Sequence, residues 1–215
     1  MNVIKSIGIV LVLCMGLAFG SEAQTVRFGI YIAPSLTAPI QGPNTFIVRD
    51  YVPRAGVDVC GLVDIEVREK WKFRTGLGIT SFGYRENIGF FVFEDQISPV
   101  YGRAESTKQT YLGMNVPLFI AYRKPDAITG FIGGLDVLLP IYNKLEWQYP
   151  GATTTESKFA VSVIPAVNLG IQMSFPVGSD DSRLEIEPVG KLYLGKLQYN
   201  DHNLFSLGLR LVYIK

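Results

Sequence analysis

The sequence predicts an all-β fold, an eight-stranded antiparallel up-and-down barrel that crosses a membrane, and three features carry that expectation. Apolar and polar residues alternate with period two in segment after segment, the connections between segments alternate long and short, and glycines inside the segments fall mostly on the polar parity. Side chains of a strand point to opposite faces in turn, so the alternation gives every strand one apolar and one polar face.

The segment from Arg54 to Arg85 is the clearest. Ala55, Val57, Val59, Val63, Ile65 and Val67 share one parity, and Arg54, Asp58, Asp64, Glu66 and Arg68 share the other. After Glu69 and Lys70 the pattern restarts, with Trp71, Phe73, Leu77 and Ile79 against Lys72, Arg74, Gly76, Gly78 and Thr80. Two such strands joined by so short a turn pair as an antiparallel hairpin.

The other strands follow in chain order. Val26, Phe28, Ile30 and Ile32 make the first, and a loop from about Pro34 to Pro53 leads to the hairpin, whose strands are the second and third. A loop over about Glu86 to Lys108 reaches the fourth, where Leu112, Met114, Val116, Leu118, Ile120 and Tyr122 oppose Gln109, Tyr111, Gly113, Asn115 and Arg123. The short link Lys124-Pro125-Asp126-Ala127 gives way to the fifth, with Phe131, Leu135, Val137, Leu139 and Ile141 against Gly130, Gly134, Asp136 and Lys144. A further loop runs to Ser157. The sixth strand then places Phe159, Val161, Val163, Val167, Leu169, Ile171, Met173 and Phe175 opposite Lys158, Ser162, Asn168, Gly170, Gln172 and Ser174. A turn at Gly178-Ser179-Asp180-Asp181 precedes the seventh, Leu184, Ile186, Leu192 and Leu194 against Glu185, Glu187 and Lys191. Asn200-Asp201 turns the chain into the eighth, with Phe205, Leu207, Leu209, Leu211 and Tyr213 apolar and Ser206, Gly208 and Arg210 opposite.

At 215 residues, with 12% aromatics, the chain is the size of one all-β domain. The formal net charge of +1 and the lack of a basic run exclude a nucleic-acid binder. Residues 1–23 carry Lys5, an apolar run from Ile7 to Leu17 and the small-residue end Ser21-Glu22-Ala23, as an export signal does. The run is short of the ~20 residues that a membrane helix needs. The barrel domain is therefore expected over 24–215, exported to the outer membrane. Cys14 falls inside the signal, which leaves Cys60 alone and excludes an intrachain disulfide.

Periodicity does not say which face is inside; the other features do. Short turns at one end and long loops at the other are the rhythm of an outer-membrane barrel. Gly29, Gly56, Gly76, Gly78, Gly113, Gly130, Gly134, Gly170 and Gly208 make room in a crowded lumen for long side chains, so the polar parity points inward. Trp71, Tyr84, Tyr122, Tyr142, Phe159, Phe175 and Tyr213 lie near strand ends, where interfacial aromatics belong. In hydrocarbon no water satisfies an open edge, so the first and last strands must pair. Pro117, Pro140, Pro165 and Pro188 each lack a ladder donor and predict bulges or weakened pairing.

The stretch Met114-Asn115-Val116-Pro117-Leu118-Phe119-Ile120-Ala121-Tyr122 resembles a strand of the Bacteroidetes outer-membrane β-barrel family that includes PorT-type proteins, small barrels akin to OmpA and OmpX. The strand count, loop rhythm and last strand extend the likeness over the chain. The resemblance implies an integral barrel and, as a narrower expectation, an accessory of protein secretion or envelope assembly. Its partners would be the bilayer, the barrel-assembly machinery during insertion, and secretion-system components.

An eight-stranded barrel is just wide enough to be filled by side chains. Arg27, Arg54, Arg68, Lys72, Arg74, Arg123, Lys191 and Arg210 would share the lumen with Asp58, Asp64, Glu66, Asp136, Glu185 and Glu187, and an unpaired charge there is costly. The expectation is a salt-bridged plug; a narrow ion path is the alternative. The single histidine, His202, follows Asp201, and Ser206 on the same strand is about 13 Å along it, too far for a nucleophile–base contact, so a barrel hydrolase using His202 stands as the last alternative. No catalytic, metal-binding or cofactor-binding residue is assigned, and no cofactor is expected. The loops at 36–52, 86–108 and 145–157 are the expected external surface, in a structural or binding role.

Overall fold

In a computed structural model of the chain, residues 25–40, 49–88, 105–149, 151–159, 163–178, 182–194 and 203–215 are described. Nine strands occur among them: β1 (Val26–Pro39), β2 (Arg49–Arg68), β3 (Trp71–Ile88), β4 (Ser106–Arg123), β5 (Thr129–Tyr149), β6 (Ala152–Phe159), β7 (Ile164–Pro176), β8 (Arg183–Tyr193) and β9 (Leu204–Ile214). All pairings are antiparallel, and β1 pairs with β9 from Gly29↔Ile214 to Pro39↔Leu204, which closes the sheet into a barrel. At the seam Phe28 and Lys215 exchange both backbone hydrogen bonds, at 3.1 and 2.8 Å.

The barrel has eight staves because β6 and β7 are two lengths of one. β5 pairs with β7 through its first half, ending at Leu138↔Ile164, and with β6 through its second, starting at Tyr142↔Phe159. The expected sixth strand is thus interrupted around Val163, while Val161 and Ser162 lie outside the described residues. Nor is the connection before it a long loop. β5 and β6 meet in a tight turn at Gly151, whose φ of 76° suits glycine, so most of 145–157 is paired strand. Strand likewise takes up the flanks of the other two expected loops, since β1 runs to Pro39, β2 starts at Arg49, β3 runs to Ile88 and β4 starts at Ser106.

The partition of faces is as expected. Phe28, Ile79, Phe131 and Leu169 are 67, 62, 68 and 69% exposed on the outside, whereas Arg74, Asp136, Glu185 and Glu187 are fully buried within. Trp71 and Tyr122 pair at one end of the apolar band and Tyr142 and Phe159 at the other. Between the rows, β4 covers Leu112–Tyr122, about 33 Å at ~3.3 Å per residue and about 23 Å after a ~45° tilt. That matches the ~25 Å apolar band of a barrel in a bilayer.

Prolines weaken one edge each. Beside Pro117 the ladder with β3 lapses between Thr75↔Leu118 and Gly78↔Asn115 while the ladder with β5 is unbroken. Beside Pro188 it lapses on the β7 side and holds on the β9 side. A residue without an N–H loses only the hydrogen bonds that nitrogen would have made. Next to Pro140 the register shifts, with Leu112↔Tyr142 followed by Gly113↔Pro140. Pro165 stands just past the interruption between β6 and β7.

Three sequence expectations fail at such irregularities. The extra residue beside Pro140 reverses the parity of the rest of β5, so Asn143 and Leu145 are buried and Lys144 faces out, not into the lumen. A register shift between Pro53 and Val57 does the same for Arg54, which donates to Thr110 Oγ1 at 2.7 Å, on the row that carries Lys144, instead of to a lumen carboxylate. Tyr84 belongs to no outer girdle. It is 4% exposed and its hydroxyl donates to Gln109 Oε1 at 2.5 Å inside the barrel.

Candidate functional site

The lumen is layered, and the inward residues of β8 list the layers in order: Glu185, Glu187, Val189, Lys191 and Tyr193. Period-two spacing on a single strand places carboxylates nearest the short-turn end, a lysine above them and an aromatic ring above that.

Arg74 on β3 is the hub of the first layer. Its Nε donates to Asp64 Oδ1 at 3.0 Å, Nη1 to Glu187 Oε1 at 2.7 Å and Nη2 to Glu185 Oε2 at 2.6 Å. Both oxygens of Glu187 are used, because Arg210 Nη1 donates to Oε2 at 2.8 Å. The Arg210 guanidinium in turn lies 4.5 Å from the Phe119 ring centroid and 5.0 Å from that of Tyr31. Toward the mouth, Lys72 Nζ is 3.7 Å from Asp64 and 3.5 Å from Glu66, which Arg27 approaches at 3.9 Å. The planar five-donor fork of arginine makes such multidentate bridging possible.

The second layer is a triad. Lys191 Nζ sits 2.8 Å from both Asp58 Oδ2 and Asp136 Oδ2. Thr80 donates its hydroxyl to Asp58, and Asn168 Nδ2 donates to Asp136 at 3.2 Å. Asn115 Nδ2 donates to Tyr31 Oη at 2.9 Å. Gly78 permits this: a Cβ there would lie 2.5 Å from Asn115 Oδ1 and 2.6 Å from the Cys60 Cβ.

The third layer is apolar, and the sequence reading missed it. Phe82, Tyr84, Tyr111, Leu138, Ile164, Ala166, Tyr193 and Leu204 form one buried cluster, with Phe82 stacked between Tyr111 and Tyr193 at 5.0 and 4.8 Å. The signal was present, since Phe82 and Tyr84 continue the inward parity of Arg74 and Thr80; an apolar residue on a polar face was the clue.

Of the expected lumen charges, Asp58, Asp64, Asp136, Glu185, Glu187, Lys72, Arg74, Lys191 and Arg210 are buried. Arg27, Glu66 and Arg123 are partly exposed near the mouth, and Arg68 is exposed at the β2–β3 turn. The cavity bounded by Asp58, Lys191, Ser206 and Arg210 measures about 10 Å³, room for a single water at most. Lys191 and Ser206 are cross-strand partners, so an amine and a hydroxyl share the wall of this cavity. An ammonium held by two carboxylates has no lone pair to offer, and no substrate fits beside it. His202 lies outside the described residues.

Beyond the Tyr142–Phe159 row the β5–β6 hairpin carries its own ion pairs. Glu146 accepts from Lys144 at 2.5 Å and from Lys108 at 3.0 Å. Those hydrogen bonds hold the Glu146 carboxyl below the usual range and push the Lys144 ammonium up.

A closed antiparallel barrel of eight staves, apolar without and ion-paired within, is the class this pairing defines. No protein-family model matches the chain, and no curated protein does. Among solved structures it is similar to Ail, the attachment invasion locus protein of Yersinia pestis, at 14% identity and a TM-score of 0.44, over 91% of this chain and 100% of that one. It is similar to the neisserial surface protein NspA at 11% and 0.47, over 89 and 98%. The N-terminal β-barrel domain of Pseudomonas aeruginosa OprF follows at 5% and 0.35, over 86 and 97%. At that degree of likeness the barrel rests on its own strand pairing.

Proposed function

We propose that this protein is a small integral outer-membrane β-barrel, not an enzyme, with a closed lumen and a structural or binding role carried by the end opposite its termini. One observation carries the reading: a continuous apolar outer face, with Phe28, Ile79, Phe131 and Leu169 exposed, around a lumen in which Arg74 is fully buried among three carboxylates. In water this arrangement would expose a greasy surface and bury ions; in a bilayer each group has its proper solvent. The termini and short turns then face the periplasm, and the β5–β6 hairpin faces outward. The bilayer and the barrel-assembly machinery are the partners this implies.

Spin labels at Ile79, on the outer face, and Asp126, in the exposed short turn, in a Cys60→Ser background, test it. Oxygen, which concentrates in lipid, should relax the label at 79 more than that at 126. Equal relaxation by a water-soluble reagent at 79 would end the membrane reading. The Met114–Tyr122 resemblance favours a second reading, an accessory of secretion or envelope assembly. Deleting the gene and measuring secreted proteins tests that, with an unchanged secretome as the contrary result.

A further inference from the structure

We infer that the outer face across β4, β5 and β7 seats an acyl chain of an anionic phospholipid of the periplasmic leaflet, with its phosphate held by Lys70 and Lys124; the inference rests on the membrane reading above.

The seat is a groove of about 610 Å³ whose lining includes Trp71, Ile120, Tyr122, Phe131, Gly133 and Leu169. Gly133 is its origin. It stands between Ile120 on β4 and Leu169 on β7, which are 55 and 69% exposed, so two aliphatic side chains rise on either side of a position that has none. An apolar trough in a lipid-facing wall takes up hydrocarbon.

Charge at the foot of the trough selects the headgroup. Trp71 and Tyr122 wall its short-turn end at 4.8 Å, and the next residues are Lys70 and Arg123, joined by a 2.9 Å hydrogen bond from Arg123 N to Lys70 O. Arg68, Lys70 and Lys124 are exposed there and Arg123 partly so, against the exposed acids Glu69 and Asp126. Among the described residues no ion pair engages Arg68, Lys70, Arg123 or Lys124. At the other end of the same strands Lys108 and Lys144 already share Glu146. Four bases outside any such ion pair thus lie, with two acids, at the periplasmic level, where basic residues at a membrane surface attract anionic headgroups.

Trp71 lines the groove and is one of two tryptophans, so Trp147→Phe leaves it as the sole reporter. The protein is reconstituted in phosphatidylcholine vesicles containing a low fraction of brominated phosphatidylglycerol or, in parallel, brominated phosphatidylcholine. The expected result is Trp71 quenching roughly fivefold stronger per brominated lipid with phosphatidylglycerol. Lys70→Gln with Lys124→Gln should remove the preference. Gly133→Leu should remove it too; a Cβ there meets only Leu169 Cδ2 at 3.0 Å and Asn168 O at 3.4 Å, so the flexible leucine gives way. Equal quenching by the two lipids, or a preference that survives either variant, overturns the site and leaves the membrane reading standing. Absence of quenching by both lipids overturns the two together. Heat-modifiable migration on a gel checks that each variant is folded, and if Gly133→Leu is not, the lysine pair decides.

Discussion

Arg74 and Glu187 lie 113 residues apart in sequence and meet in the lumen through a 2.7 Å hydrogen bond from Nη1 to Oε1. Since Glu187 also accepts from Arg210, one carboxylate ties β3 to β9 through β8. Removing Arg74 would strand Asp64, Glu185 and Glu187 together without their shared cation. Arg74→Leu is expected to cost about 3–5 kcal/mol, the scale for breaking a buried pair, measured by urea unfolding in bilayers. A loss under 1 kcal/mol would mean that water reaches the carboxylates.

The outer face should reject charge. Leu77, 56% exposed on β3, falls between the Trp71–Tyr122 row and the pair Ser81↔Leu112. Leu77→Lys should destabilise the barrel by about 2–4 kcal/mol in bilayers, as a base near the midplane does. In a soluble barrel the same change would be close to neutral, and unfolding midpoints tell the two apart.

Gly78 is where the lumen has no room. A side chain there would collide with Asn115 and Cys60, and also with Val59 O at 2.5 Å, backbone that cannot swing aside. Gly78→Ala should cost about 1–3 kcal/mol by overpacking, and adding Asn115→Gly should recover part of it. Thermal shift of the heat-modifiable band reads both.

The β5–β6 hairpin should loosen in acid. The Glu146 carboxyl is held below its ordinary range in the fold, by Lys144 first and Lys108 second. A depressed carboxylate stabilises above its unfolded value, and the contribution is lost as pH falls through the folded one. Amide exchange at Thr155, the cross-strand partner of Glu146, should therefore exceed the intrinsic pH trend at acid pH, and Glu146→Gln should abolish the excess.

Strand number, the inside-out partition and closure were legible in the sequence, because a period-two pattern is written locally and a membrane allows no open edge. Asp58, Asp64 and Arg74 stand where simple counting puts them. Arg54 and Lys144 do not, because one inserted residue reverses every later side chain of a strand. Parity alone therefore gave each strand's faces but not where a strand changes its mind. The partners of the lumen ions were beyond it as well: that Arg74 takes Glu187 while Lys191 takes Asp58 and Asp136 depends on register and tilt summed around the whole ring. The trough at Gly133 is set by register as well, since Ile120 on β4 and Leu169 on β7 both pair with it across neighbouring staves.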